Sequence, residues 1–406
     1  MKKKLLMIFC AAAMAFSMTA CGSDSSDSAS SSSASESVES TESVESVEST
    51  ESTEKKEDQQ LVVTSENAKL IGRTYSKDNI LWFSLSGSGA EFKFNGKRCE
   101  IMVRADSMVT QKQHSPRFAV YVDGERLMDK VMEQGIEKVE VLNTENAEEH
   151  IVRVVKLSES ADSTMGLVYI LCEGEATVEP TAAKDLKIEF IGDSITCGYG
   201  VDGKLGDVYS TSNEDCTKAY AIKTANKLDA DYSLFSFSGH GIISGYSGDG
   251  NKVESQLIPN LYTKFGNSYG TFALGTKPFD IEWDFSKYVP DVVVINLGTN
   301  DASYTKGKED RIEDYTVHYV EFLKQVREKN PKAQIVCVLG VMGQDLCPAV
   351  EDTVNRYKTE TGDNEVYYLK LDQQGSEVVV DWHPTEASHE HAADQVSEFI
   401  KSILKQ

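Results

Sequence analysis

From about Asp185 to the C-terminus, short apolar runs rich in β-branched residues alternate with stretches of helical spacing. This alternation limits the fold more than any other feature. Parallel strands need a long crossover, usually a helix, to return to the same sheet. The strand candidates are Leu186–Ile191, Tyr232–Phe237, Asp291–Leu297, Gln334–Leu339 and Val366–Leu371, and the helical stretches are roughly Thr217–Leu228, Asp314–Lys329 and Thr385–Leu404. An α/β three-layer domain with a parallel sheet is predicted over residues 185–406. In such a sheet the strand ends gather along one edge, and ligands bind there.

The preceding stretch, residues 61–180, has the other periodicity. Short strand candidates include Leu81–Leu85, Ala90–Phe94, Cys99–Val103, Phe118–Val122, Val139–Leu142, His150–Val155 and Gly166–Leu171. Turn dipeptides such as Asn95-Gly96 and Asp123-Gly124 separate several of them. Alternating strands punctuated in this way predict an all-β sandwich or barrel.

Residues 1–21 read as a leader: Lys2-Lys3-Lys4, an apolar stretch from Leu5 to about Phe16, then Met18-Thr19-Ala20-Cys21. The apolar stretch is short for a spanning helix and a polar tract follows it, as in a secretory signal. It resembles a bacterial lipobox, with Met18 where Leu is usual. That resemblance implies Cys21 as the lipid-bearing residue and anchorage to the extracellular face of a bacterial membrane. Residues 22–60 are mostly Ser, Glu, Thr and Val, with a Glu at every third position from Glu36 to Glu54. Too little apolar mass is present to offset ordering entropy, so a disordered tether is predicted. As a flexible coil it would span roughly 35 Å. The net charge of −24 on 406 residues excludes a nucleic-acid surface.

Three polar segments fall near strand ends. Gly192-Asp193-Ser194 follows the first apolar run, and Ser194 begins the next segment, where free backbone N–H groups bind anions. Gly298-Thr299-Asn300-Asp301 follows a second run; the Asn300 side chain can donate to an oxyanion, while Asp301 reads as a structural partner. Asp381-Trp382-His383-Pro384 precedes the last helix and supplies a base, His383. Gly241, within Ser238-Gly239-His240-Gly241, can bring a backbone N–H to the oxyanion, with Gly239 as its competitor. A serine nucleophile, an imidazole and oxyanion donors are the parts of an esterase. His383, His389 and His391 match no zinc spacing, and no CxxC pairs occur, so no metal is predicted. Cys197 and Cys216 flank one loop, as a disulfide or as buried thiols. Tyr199, Tyr246, Trp283 and Trp382 are candidate walls for stacking sugar faces, with core packing the alternative for Trp283.

Together these segments resemble the SGNH, or GDSL-type, hydrolases. Gly192-Asp193-Ser194 resembles the first sequence block, Gly241 the glycine of the second, Gly298–Asp301 the third and Asp381–Pro384 the fifth. The stretches Ile71–Tyr75, Trp82–Gly89, Thr196–Gly200, Glu214–Tyr220 and Trp283–Phe285 further resemble carbohydrate esterase family 2. The resemblance implies an N-terminal jelly-roll module followed by the esterase domain. It implies removal of O-acetyl groups from polysaccharides of the acetylated xylan or mannan type, without a cofactor. A non-catalytic carbohydrate-binding lipoprotein, or an esterase for other acyl groups, is the alternative. One position departs from the SGNH pattern. The acid expected three residues before the histidine is Val380, and Asp381 stands one step closer. A one-residue shift on an extended segment turns a side chain to the other face. Asp381 or a backbone carbonyl is therefore left to orient His383.

Overall fold

The computed structural model describes residues 57–405. The expected leader, Cys21 and nearly all of the expected tether lie outside the described residues. The tether's expected end at residue 60 shifts inward, because the chain already pairs in a sheet from Gln59.

The first sheet has ten antiparallel strands: β1 (Gln59–Leu61), β2 (Lys69–Ile71), β3 (Thr74–Lys77), β4 (Ile80–Phe83), β5 (Gly89–Ala105), β6 (Arg117–Val122), β7 (Glu125–Val131), β8 (Ile136–Lys156), β9 (Met165–Cys172) and β10 (Thr177–Pro180). The β6–β7 hairpin turns at Asp123-Gly124 as predicted; both residues have positive φ, +51° and +86°. Asn95-Gly96 is not a turn. Both residues lie inside the long β5, beside a register irregularity between Gly96 and Arg98. There the strand changes neighbours, pairing with β2 and β10 before the irregularity and with β9 after it. A bulge bends a strand and increases its twist, which curls this sheet on itself. Phe83, Phe92, Phe94, Ile101, Val120, Val154 and Leu167 fill the core it encloses.

The second sheet is parallel, in the order β12-β11-β13-β14-β15. Its strands are β11 (Leu186–Gly192), β12 (Ala230–Ser236), β13 (Val292–Asn296), β14 (Gln334–Leu339) and β15 (Val366–Lys370). The helices are α1 (Ser194–Cys197), α2 (Tyr220–Lys227), α3 (Ile258–Leu261), α4 (Thr299–Thr305), α5 (Glu309–Lys329), α6 (Cys347–Thr361) and α7 (Glu386–Leu404). Alternate residues of the strands serve opposite faces. Ile191, Val293, Ile295, Ile335 and Cys337 meet α5 and α6, whereas Ile188, Phe190, Val292, Val294 and Val336 meet α2 and α7. Burial on both faces explains why these strands read as continuous apolar runs.

The two sheets share their packing. Ile71, Ala119, Val155 and Leu157 of the antiparallel module join the core under α2 and α7. Arg73 is fully buried and reaches into the α/β layers. It donates to the carbonyls of Tyr262 at 2.7 Å and Lys264 at 2.6 Å and to Glu189 Oε1 at 3.2 Å, with its guanidinium 4.2 Å from the Phe235 ring. Five donors in a planar fork suit such a junction, where carbonyls and a carboxylate converge.

Candidate active site

The strand order reverses at β11, which has β12 on one side and β13 on the other. Gly192, the last residue of β11, stands in register with Ser236 of β12 and Asn296 of β13. The three segments that follow therefore leave the sheet side by side, at the switch point where open α/β sheets bind ligands.

Ser194 opens α1, with the Asp193 carboxylate capping the helix by accepting the Ile195 N–H at 3.0 Å. Burial pushes Asp193 up to about 7. Ser194 Oγ lies 2.8 Å from His383 Nε2 across 189 residues of chain. His383 Nδ1 lies 3.1 Å from the Val380 carbonyl oxygen. An N–H donated there fixes the tautomer and leaves Nε2 as the acceptor for the serine hydroxyl. Burial pulls the His383 imidazole down to about 4, partly opposed by the Val380 carbonyl. The ring is thus neutral at ordinary pH, as a base must be.

The Asp381 carboxylate makes no hydrogen bond to the ring. Its Oδ2 accepts the Tyr199 hydroxyl at 2.8 Å instead. The expectation of Asp381 as the orienting acid is corrected to the Val380 carbonyl. The cause is local backbone: Asp381 and Trp382 both take left-handed conformations, φ +49° and +66°. That tight turn carries the Asp381 side chain past the imidazole, while the buried Val380 side chain packs against the segment of Gly200 and Gly203.

Gly241 is also corrected. Its N–H is already donated to the Gln256 carbonyl at 3.1 Å. A Cβ there would fall 2.2 Å from the Ser244 oxygen and 2.5 Å from Asp301 Oδ2, so the residue faces the interior of its own loop. Gly239, with φ +74°, lines the cavity beside Ser194 and Asn300, and its N–H has no partner among the described residues. Asn300 Nδ2 donates to the His240 carbonyl at 2.8 Å and only loosely to Asp193 Oδ2 at 3.3 Å. Buried Asp301 accepts the N–H groups of Ile242, Ile243 and Ser244 at 2.8–3.1 Å, which holds the loop behind the site.

Residues 190–391 match the GDSL-like lipase/acylhydrolase family, and residues 70–181 match the carbohydrate esterase 2 N-terminal family. The chain joins a domain of the GDSL-like lipase/acylhydrolase family to a carbohydrate esterase 2 N-terminal domain. It is 31% identical over 329 residues to the cellulase/esterase CelE of Acetivibrio thermocellus, spanning 79% of this chain and 37% of that protein. It is 23% identical over 348 residues to an acetylxylan esterase / glucomannan deacetylase of Cellvibrio japonicus, spanning 85% of this chain and 91% of that one. A family two carbohydrate esterase from Clostridium thermocellum, solved in complex with cellohexaose, has the same fold with a TM-score of 0.70. That match is 28% identical and covers 83% of this chain and 99% of the other.

In this GDSL-like domain Ser194 and His383 open onto a cavity of about 1000 Å³. Trp382, Tyr246, Tyr199 and Met342 contribute to its wall, and Trp382 and Tyr246 are 65% and 64% exposed. Tyr199 stacks on Tyr209 at 4.1 Å and stands 4.4 Å from the His383 ring. Trp283 is elsewhere: it is buried and packs 5.5 Å from the Arg73 guanidinium. It belongs to the junction between the sheets and not to a sugar-binding wall. Cys197 and Cys216 are free buried thiols. Their sulfurs face different partners, Ser236 Oγ at 3.2 Å and the Lys156 carbonyl at 3.6 Å.

Proposed function

We propose that this chain is a serine esterase that removes O-acetyl groups from polysaccharides of the acetylated xylan or mannan type. The 2.8 Å approach of Ser194 Oγ to His383 Nε2, at the floor of an aromatic-walled cavity, carries the proposal. The likeness to an acetylxylan esterase / glucomannan deacetylase supports the substrate class.

Ser194 Oγ attacks the acetyl carbonyl carbon while His383 Nε2 takes the hydroxyl proton. The tetrahedral oxyanion is held by the N–H groups of Ser194 and Gly239 and by Asn300 Nδ2. Each such donor is worth about 3–4 kcal/mol of barrier. The C–O bond to the sugar then breaks, and His383 returns the proton to the departing sugar oxygen. Water enters, gives its proton to the same ring and attacks the acetyl-serine. Collapse releases acetate and restores Ser194. Among the described residues no carboxylate hydrogen-bonds the far nitrogen of His383, so the Val380 carbonyl orients it and Ser194–His383 acts as a dyad.

Trp382 and Tyr246 offer exposed rings for stacking sugar faces, and Tyr199 braces the imidazole. The curled antiparallel module is a jelly-roll-type module in this reading. Cys21 carries a lipid, and the Ser/Glu-rich segment holds the folded part off the outer face of a bacterial membrane.

Acetate release from acetylated xylan and acetylated glucomannan, alongside acetyl, butyryl and octanoyl p-nitrophenyl esters, tests the reading. Release from at least one polysaccharide, with the acetyl ester preferred, is expected. Preference for the octanoyl ester, or no release from any substrate, contradicts it.

A further inference from the structure

A carboxylate from the antiparallel module reaches the catalytic loop. Glu159 lies in the connection between β8 and β9 and is buried. Its Oε2 accepts the backbone N–H of Ser238 at 2.8 Å. Ser238 directly precedes Gly239, whose N–H borders the cavity. The same oxygen lies 3.9 Å from Cys197 Sγ, and Cys197 ends the short helix that begins with Ser194. One carboxylate therefore touches both the nucleophile's helix and the loop that carries a second oxyanion donor.

Glu159 is itself held at both backbone groups. Its N–H is donated to Glu214 Oε2 at 2.8 Å, and its carbonyl accepts Lys156 Nζ at 2.8 Å. Glu214 Oε2 also accepts the Tyr209 hydroxyl at 2.8 Å, and Tyr209 is the ring on which Tyr199 stacks. Atoms of Glu159, Cys197 and Glu214 lie within 4.8 Å of one another. Glu159 Oε2 is already occupied by the Ser238 N–H, so a positioning role fits it better than an ion site.

We propose that Glu159 is a positioning residue for the oxyanion hole: by accepting the Ser238 N–H it aims the adjacent Gly239 N–H at the reacting oxygen. The antiparallel module is then a working part of the catalytic centre and not only an appended binding module. This inference rests on the esterase reading above. Burial and the neighbouring Asp162 push the Glu159 carboxyl up to about 7. A glutamine therefore mimics its neutral form while keeping an acceptor oxygen.

The test compares wild type with Glu159→Met, which keeps the volume and removes the acceptor, and Glu159→Gln, which retains it. Acetate release from acetylated xylan is measured together with inhibition by a small boronic acid that forms a tetrahedral adduct on Ser194. Misplacing a catalytic group by about 1 Å costs on the order of 10²-fold. Glu159→Met is expected to lose about that factor in kcat and in boronate affinity with KM unchanged, and Glu159→Gln is expected to recover most of both. If Glu159→Met does not fold, Glu159→Asp, one methylene shorter, takes its place and is expected to lose kcat in the same sense. Wild-type kcat in the acceptor-free or shortened variant, a loss confined to KM, or a Glu159→Gln enzyme as impaired as Glu159→Met overturns the proposal. An inactive wild type would instead sink the esterase reading.

Discussion

His383 and Val380 are joined twice: the Val380 carbonyl oxygen lies 3.0 Å from the His383 backbone nitrogen and 3.1 Å from its Nδ1. A backbone carbonyl thus stands where a catalytic carboxylate would orient the ring. It fixes the tautomer, but it carries no full charge to stabilise the imidazolium that forms when Ser194 is deprotonated.

Asp381 should therefore matter far less than a triad acid. Loss of the carboxylate from a true triad lowers kcat by about 10⁴. Asp381→Asn is expected to cost less than about tenfold, through its weak field on the ring and its bond to Tyr199. Asparagine also tolerates the left-handed backbone at this position. Rates with p-nitrophenyl acetate check this, and a fall of about 10³ or more would restore Asp381 as the orienting acid.

The pH profile follows from the ring's environment. His383 is pulled down to about 4, and only its neutral form accepts the serine proton. As pH falls, protonation removes the base, so kcat/KM declines on the acid side only. The rate is expected to hold from neutrality to about pH 5 and then fall as pH nears the histidine's own value. A limb centred near the unperturbed histidine value of about 6.5 would mean that the ring is solvated in the working enzyme.

The two candidate glycines separate cleanly. At Gly239 a Cβ meets nothing closer than Gln256 at 3.7 Å, so alanine costs mainly the left-handed backbone, about 1–2 kcal/mol. Gly239→Ala should fold and lose kcat as its N–H shifts. Gly241→Ala should lower the melting midpoint more, because its Cβ collides with a backbone oxygen at 2.2 Å. Paired melting curves and rates decide the matter; a stable Gly241→Ala with low kcat reverses the assignment.

The exposed rings at the cavity mouth have a polymer-specific signature. Trp382→Ala and Tyr246→Ala are expected to raise KM for acetylated polysaccharide while leaving p-nitrophenyl acetate nearly unaffected, since the small ester needs no sugar platform. Equal losses on both substrates would place these rings in the support of the catalytic loop.

Much of the parallel sheet was legible because its strands are buried on both faces and read as unbroken apolar runs. Gln334–Leu339 falls where the spacing puts it, and Leu186–Ile191 gains only Gly192. The helix Cys347–Thr361 leaves only a faint stripe in the sequence: Val350, Val354 and Tyr357 carry its spacing but stand among threonines and charges. In the first module, the sequence pattern divides β5 and β8 into two strands each. A bulged strand keeps its alternation while changing partners, and partner exchange leaves no mark in a single sequence. The convergence of Ser194, Asn300 and His383 on one cavity was legible because each lies near a strand or helix end. The choice between Gly239 and Gly241 was not, since it turns on which N–H a distant carbonyl, that of Gln256, has already taken. Glu159 was invisible for the same reason: its partner at Ser238 is 79 residues away.

The catalytic pair itself is tested by the turnover of Ser194→Ala and His383→Ala on acetylated xylan, with the melting midpoint of each variant measured beside it. Both variants should keep the wild-type midpoint and lose at least about 10³ in kcat. Turnover close to wild type in either folded variant would contradict a mechanism that runs through these two side chains.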